Sequence, residues 1–166
     1  MSFLDFPDDD PKRRTRRPLL LFIIVTLAVG ALGSVFTKPS IPTWYAALNR
    51  PGFAPPNWLF APVWTTLYIL MAVAAWRAWK ATGLKSSALI AYAIQLVLNV
   101  AWSAIFFGLH RIDLALVEIA VLWLAILATI ILFWRADRIA GLLMLPYLAW
   151  TGFAGFLNYA FWSLNP

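Results

Sequence analysis

Few side chains in this 166-residue sequence can do chemistry, and most of them sit in apolar surroundings. Glu118 is the only acidic residue well inside an apolar run. Gln95 and Asn99 add amides, and Trp102 and Trp150 add indoles. Arg50 is the one charge in a rigid aromatic stretch, WYAALNRPGFAPPNW, from Trp44 to Trp58. A carboxyl inside a membrane can relay a proton or meet a ligand, and it can equally be a protonated or amide-paired structural group. The two amides can contact a ligand or bridge helices, each such bridge contributing about 1 kcal/mol or less. Deep indoles wall a pocket or fill a core. Arg50 can pair with a ligand carboxylate or snorkel at an interface. There is no cysteine and a single histidine, His110, so thiolate chemistry and multi-histidine metal sites are excluded. Neither a nucleophile–base pair nor a phosphate-cradling glycine loop is present.

The elements that must position these groups follow from composition. The chain is 63% hydrophobic and 12% charged, against roughly 45–50% and about 25% in soluble domains. That is an all-α integral membrane protein, since no alternation long enough for a barrel strand occurs. Crossing a hydrocarbon core takes roughly 20 apolar residues per helix. Five such runs are expected, at about 18–36, 59–79, 88–107, 112–134 and 139–162. They form a five-transmembrane-helix bundle over 18–162, with a lid loop at 37–58 and a short tail at 163–166. The first run exceeds the roughly 7–15 apolar residues of a signal peptide and is expected to be a retained helix.

Basic residues orient the bundle. Five of them lie in KRRTRR, Lys12 to Arg17, and Arg77, Lys80, Lys85, Arg135 and Arg138 flank the same side. Lys38, Arg50 and Arg111 flank the other. Ten against three places the N-terminus in the cytoplasm and the C-terminus outside. The net charge of +6 is thereby assigned to lipid headgroups and not to nucleic acid. Residues 1–17, beginning with an acidic FPDDDPK run, are expected to be a disordered leader.

The connector then lies outside. Prolines 39, 42, 51, 55 and 56 are expected to forbid a continuous helix there, with Asn57 capping the second span. In the third span Tyr92, Gln95, Asn99, Trp102 and Phe106 share one face by three- and four-residue spacing. At 1.5 Å rise per residue, Trp102 lies about 8 Å, Asn99 about 12 Å and Glu118 about 9 Å below the outer surface. Trp150 lies about 18 Å and Asn158 about 6 Å from the outer end of the fifth span. The chemistry therefore converges beneath the connector, as an aromatic cavity under a stiff lid. Such a cavity suits an apolar, planar ligand. Thr26, Gly30 and Ser34, and likewise Ala104 and Gly108, permit close helix approach within or between protomers.

WYAALNRP followed by PPNW, then PVWTTLY, QLVLNVAWSAIFFG and PYLAWTGFAGFLNY, together resemble the TspO/MBR family, over roughly Gly30 to Trp162. The family comprises the translocator proteins, also called tryptophan-rich sensory proteins or peripheral benzodiazepine receptor homologues. The resemblance implies a five-helix bundle, usually a homodimer, whose pocket is closed by the first loop. It implies binding of tetrapyrroles such as protoporphyrin IX, and in animal relatives of cholesterol and benzodiazepine-type drugs. Carried over by position, Tyr45 and Phe53 from the loop, Asn99 and Trp102, and Trp150 and Ala154 would line the pocket. Trp44, Arg50, Gln95, Leu114 and Glu118 complete the candidate ligand-binding set, Glu118 standing where many relatives are acidic.

Phe53 departs from relatives that carry a tryptophan in this loop, on which, with the tryptophan matching Trp150, a proposed porphyrin-degrading activity depends. Leu114 stands where animal relatives have a tryptophan. The expected function is thus a membrane receptor or sensor for porphyrin-like planar ligands, with no cofactor and no catalytic residue. The alternatives are a light- and oxygen-dependent porphyrin-degrading enzyme, or a transporter of porphyrin- or lipid-like ligands. No basic residue follows Tyr159 to complete a sterol motif, although a sterol-like partner stays within the family's range. The charge asymmetry points to a bacterial inner membrane.

Overall fold

The computed structural model describes residues 11–166. Five long helices carry the chain: α1 (Pro11–Ser40), α2 (Asn57–Thr82), α3 (Ser87–Ser103), α4 (Ile112–Ala136) and α5 (Arg138–Leu164). There is no strand among the described residues. Counted with their helical extensions, five segments are long and apolar enough to cross a membrane, from Arg17–Tyr45 to Arg138–Leu164.

Helix ends follow local chemistry. Gly83 ends α2 at φ 79°, a conformation that costs glycine little, and its amide donates to Trp79 O. Ser86 opens α3, its hydroxyl accepting from the Leu89 amide at 3.3 Å. Asp137 opens α5 by accepting from the amides of Ile139 (2.8 Å) and Ala140 (3.3 Å), and it pairs with Arg77 at 2.8 Å. That ion pair ties the end of α2 to the α4–α5 turn.

Four boundary expectations are corrected. Pro39 and Pro42 do not interrupt the first helix: α1 runs to Ser40, and a π turn at Ile41–Tyr45 carries it on. Each proline removes one N–H but holds a helical φ, and the wider turn lets the orphaned carbonyls be re-satisfied. Thr43 Oγ1 contributes by donating to Pro39 O at 3.0 Å. The lid is therefore short, covering only the residues after this turn and before Asn57. Asn57 is the first residue of α2 and supplies no cap, since the chain enters from an extended Pro56. At the other end of the molecule, 1–10 lie outside the described residues, and Pro11–Arg17 is already helical in place of an unstructured leader. The helix runs through Pro18, which stands between the basic stretch and the apolar run and does not break it. The tail is likewise shortened, because α5 extends to Leu164.

α4 packs along α3 and α5, α1 along α2 and α3, and α2 closes the bundle onto α5. Ala74, Ala75 and Ala78 of α2 are fully buried in one cluster with Phe133, Met144 and Tyr147. In lipid such close packing replaces the hydrophobic driving force between helices. Thr26 and Gly30 of α1 meet other helices of the same chain. Thr26 Oγ1 and Tyr92 OH share a buried hydrogen bond of 2.7 Å, Gly30 lies against the Tyr68 ring, and Gly108 lies against Phe36.

Candidate functional site

At the lid end the helices part around a cavity of about 400 Å³, bordered by α1, α2, α3 and α5. Its size falls in the range of small-molecule pockets, roughly 300–1,000 Å³. Tyr45, Asn99, Trp102, Trp150 and Ala154, all singled out in the sequence, line it. So do Phe60, Trp64 and Tyr68 of α2, Lys38 of α1, and Asn158 and Phe161 of α5.

The floor is a chain of polar groups. Tyr68 OH donates to Asn99 Oδ1 at 2.7 Å, and Asn99 Nδ2 donates to Tyr147 OH at 3.0 Å, from behind the lining. Asn99 is thus held by partners on two other helices, which fixes both the amide and the two phenols. A second polar chain braces one wall: Trp102 Nε1 donates to Asn158 Oδ1 at 3.1 Å, and Asn158 Nδ2 donates to Ile112 O at 3.0 Å. Trp102 stacks on Phe106 with ring centres 5.2 Å apart. Opposite it, Trp150 meets Phe60 edge to face at 5.9 Å. Tyr45 closes the lid end from the π turn, buried against Phe106 and Phe161. The result is a pocket of π surfaces with fixed polar groups at its base.

The remaining candidates lie elsewhere. Trp44 follows the helix beside Tyr45, and consecutive helical residues point about 100° apart. It turns away from the cavity and stacks on His110 at 4.3 Å. His110 adopts a left-handed φ of 57° in the α3–α4 turn. Arg50 stands over the Tyr45 ring at 5.6 Å and donates to Pro55 O at 3.0 Å, stiffening the lid from within. Phe53 is 48% exposed and stacks on Phe156 at 5.1 Å, outside the lining. No residue of α4 borders the cavity, because α3 and α5 stand between, so Leu114 and Glu118 fall outside it. Both carboxyl oxygens of Glu118 are shielded and lack a hydrogen-bond partner among the described residues. Gln95, fully buried one turn below Asn99, is in the same position with both amide atoms.

Reasoning from the sequence missed the α2 wall. Its signal was present: Asn57, Phe60, Ala61, Trp64, Thr65 and Tyr68 recur at three- and four-residue spacing on one helical face. Asn158, whose depth was noted, is also part of the wall. Lys38 is the only charged residue in the lining among the described residues. No cluster of metal-ligating side chains occurs among the described residues.

Five membrane-length helices around an aromatic, polar-floored cavity define a multi-pass integral membrane protein. The chain belongs to the TspO/MBR family, whose model matches residues 22–163. It is 43% identical over 152 residues to the tryptophan-rich protein TspO of Chlorobaculum tepidum, covering 89% of this chain and 96% of that protein. It is 39% identical to protein CrtK of Rhodobacter capsulatus, over 88% of this chain and 91% of the relative. The similarity extends to animals: the translocator protein of Homo sapiens is 38% identical over 81% of this chain and 82% of its own length.

Proposed function

We propose that this protein is a membrane receptor or sensor that binds a planar, mostly apolar ligand of the tetrapyrrole type in the cavity beneath the lid. The observation carrying this reading is the joint placement of Trp102 and Trp150 on one cavity whose floor is the Tyr68–Asn99–Tyr147 chain. Indole faces give a planar π system stacking area, while fixed amide and phenol groups set its orientation. The names of the relatives, tryptophan-rich sensory protein and translocator protein, agree with a binding role. In the same proposal the lid end faces away from the cytoplasm of a bacterial inner membrane. The ten-to-three distribution of basic residues supports that orientation.

Tryptophan fluorescence titrated with protoporphyrin IX tests the reading. Saturable quenching is expected, and Trp150→Ala should weaken the affinity. Quenching that rises linearly without saturation would reject it.

A further inference from the structure

The exposed part of the cavity lining belongs to two helices only. Ala31 and Lys38 of α1 and Asn57, Ala61 and Thr65 of α2 are exposed, whereas the lining residues of α3 and α5 are buried or half-buried. The mouth therefore opens sideways, between α1 and α2. α1 is also the least enclosed helix, with 11% of its most apolar stretch buried against 28–33% in the other four. The opening faces lipid. Its inner edge is the contact of Gly30 with the Tyr68 ring, and small residues, Ala31, Ser34 and Ala61, border it above.

Lys38 stands at the rim of this mouth, and among the described residues it has neither an ion pair nor a hydrogen bond. Two residues further on, Ser40 Oγ donates to Phe107 O at 2.6 Å, near the lid end of α3. Lys38 is thus within about 3 Å, along the axis, of the level where the third membrane-length segment, Ser87–Gly108, ends. At that level a lysine keeps its ammonium at the headgroup layer while its stem lies along the apolar rim. The neighbouring hydroxyls are already committed, Ser34 to Ala31 O and Thr37 to Gly33 O. Across the mouth Asn57 adds an exposed amide. A purely hydrocarbon ligand gives such a rim nothing to bind, whereas an anion half out of water meets a strong partner there.

We infer that the cavity takes an amphiphile bearing its own anionic group, admitted from the lipid between α1 and α2, with Lys38 holding the anion at the mouth. The apolar body then lies among Trp64, Trp102 and Trp150. This rests on the proposed binding function and specifies the chemistry of the ligand.

The test compares protoporphyrin IX, which has two carboxylates, with its neutral dimethyl ester in phosphatidylcholine nanodiscs. Tryptophan quenching is read for wild type, Lys38→Gln and Lys38→Arg. Lys38→Gln should weaken the diacid about tenfold, leave the ester unchanged, and be rescued by Lys38→Arg. Equal affinities of wild type and Lys38→Gln for the diacid, or equal losses for diacid and ester, would overturn the inference while leaving the binding function standing. Absence of saturable binding of either compound to wild type would overturn both. Adding phosphatidylglycerol distinguishes a lipid phosphate from the ligand's carboxylate as the anion. If it abolishes the difference between wild type and Lys38→Gln, Lys38 serves the lipid and the assignment falls.

Discussion

Asn49 and Asn165 clasp each other across 116 residues of sequence: the Asn49 amide donates to Asn165 Oδ1 at 2.9 Å, and Asn165 Nδ2 donates back to Asn49 O at 3.1 Å. Asn49 Nδ2 adds a bond to Leu164 O at 3.2 Å, so the lid is latched to the end of α5. Two neutral hydrogen bonds at an exposed site contribute about 1–2 kcal/mol together. Asn165→Ala is expected to speed amide exchange in residues 48–54 by about tenfold, leaving the helices protected. Unchanged exchange in the lid would show that the latch carries no strength.

Gly30→Ala should disturb the cavity floor. A Cβ at this position would lie 2.7 Å from Tyr68 Cδ2, and Tyr68 has little room to yield. It is bonded to Asn99 and packed on Trp64 at 5.6 Å. A cost of about 1–3 kcal/mol is expected, seen as a lowered thermal midpoint in detergent. Tyr68→Phe in the same background should recover little, because the clash is with the ring and not with the hydroxyl.

Ala154→Phe should block binding without unfolding the bundle. Ala154 borders open space in the cavity, so an added ring fills volume that a ligand needs. Protoporphyrin IX affinity is expected to fall by more than about tenfold, roughly 1.4 kcal/mol. Circular dichroism should be unchanged, and a normal titration would show that the ligand sits elsewhere.

Phe53→Trp is expected to leave porphyrin affinity within about twofold, the range of a surface substitution. Phe53 stacks on Phe156 at the surface and is not part of the cavity lining. A large gain in affinity would mean that the lid residue reaches the ligand.

Asp137 makes stability depend on pH. Desolvation pushes its carboxyl upward, but the Arg77 guanidinium and the Ala140 and Ile139 amides outweigh this and hold it below its ordinary value. A lowered native value means that the stabilisation is complete above the ordinary carboxylate range, about 4, and is lost as pH falls through the native value. The difference in thermal midpoint between wild type and Asp137→Asn should therefore be present at pH 7 and shrink toward pH 3. A difference that grows on acidification would reverse the assignment.

The sequence by itself determined the solvent, the helix count and the inward face of the third helix. Composition and helical periodicity are local quantities, so the Asn99–Trp102 face and the five apolar runs are legible without any tertiary contact. Tertiary structure decided what spacing leaves open. Pro39 and Pro42 read as breaks because each removes a donor, yet the chain's widening to a π turn keeps the helix and carries Tyr45 into the cavity. Trp44, Phe53 and Glu118 are no less suggestive as residue types, but helix rotation and the position of α4 behind α3 and α5 place them off the lining. Lys38 read as one of three ordinary flanking charges. Only the relation of α1 to α2 puts it at an open mouth, because which surface is left uncovered is a property of the whole bundle and of no single helix.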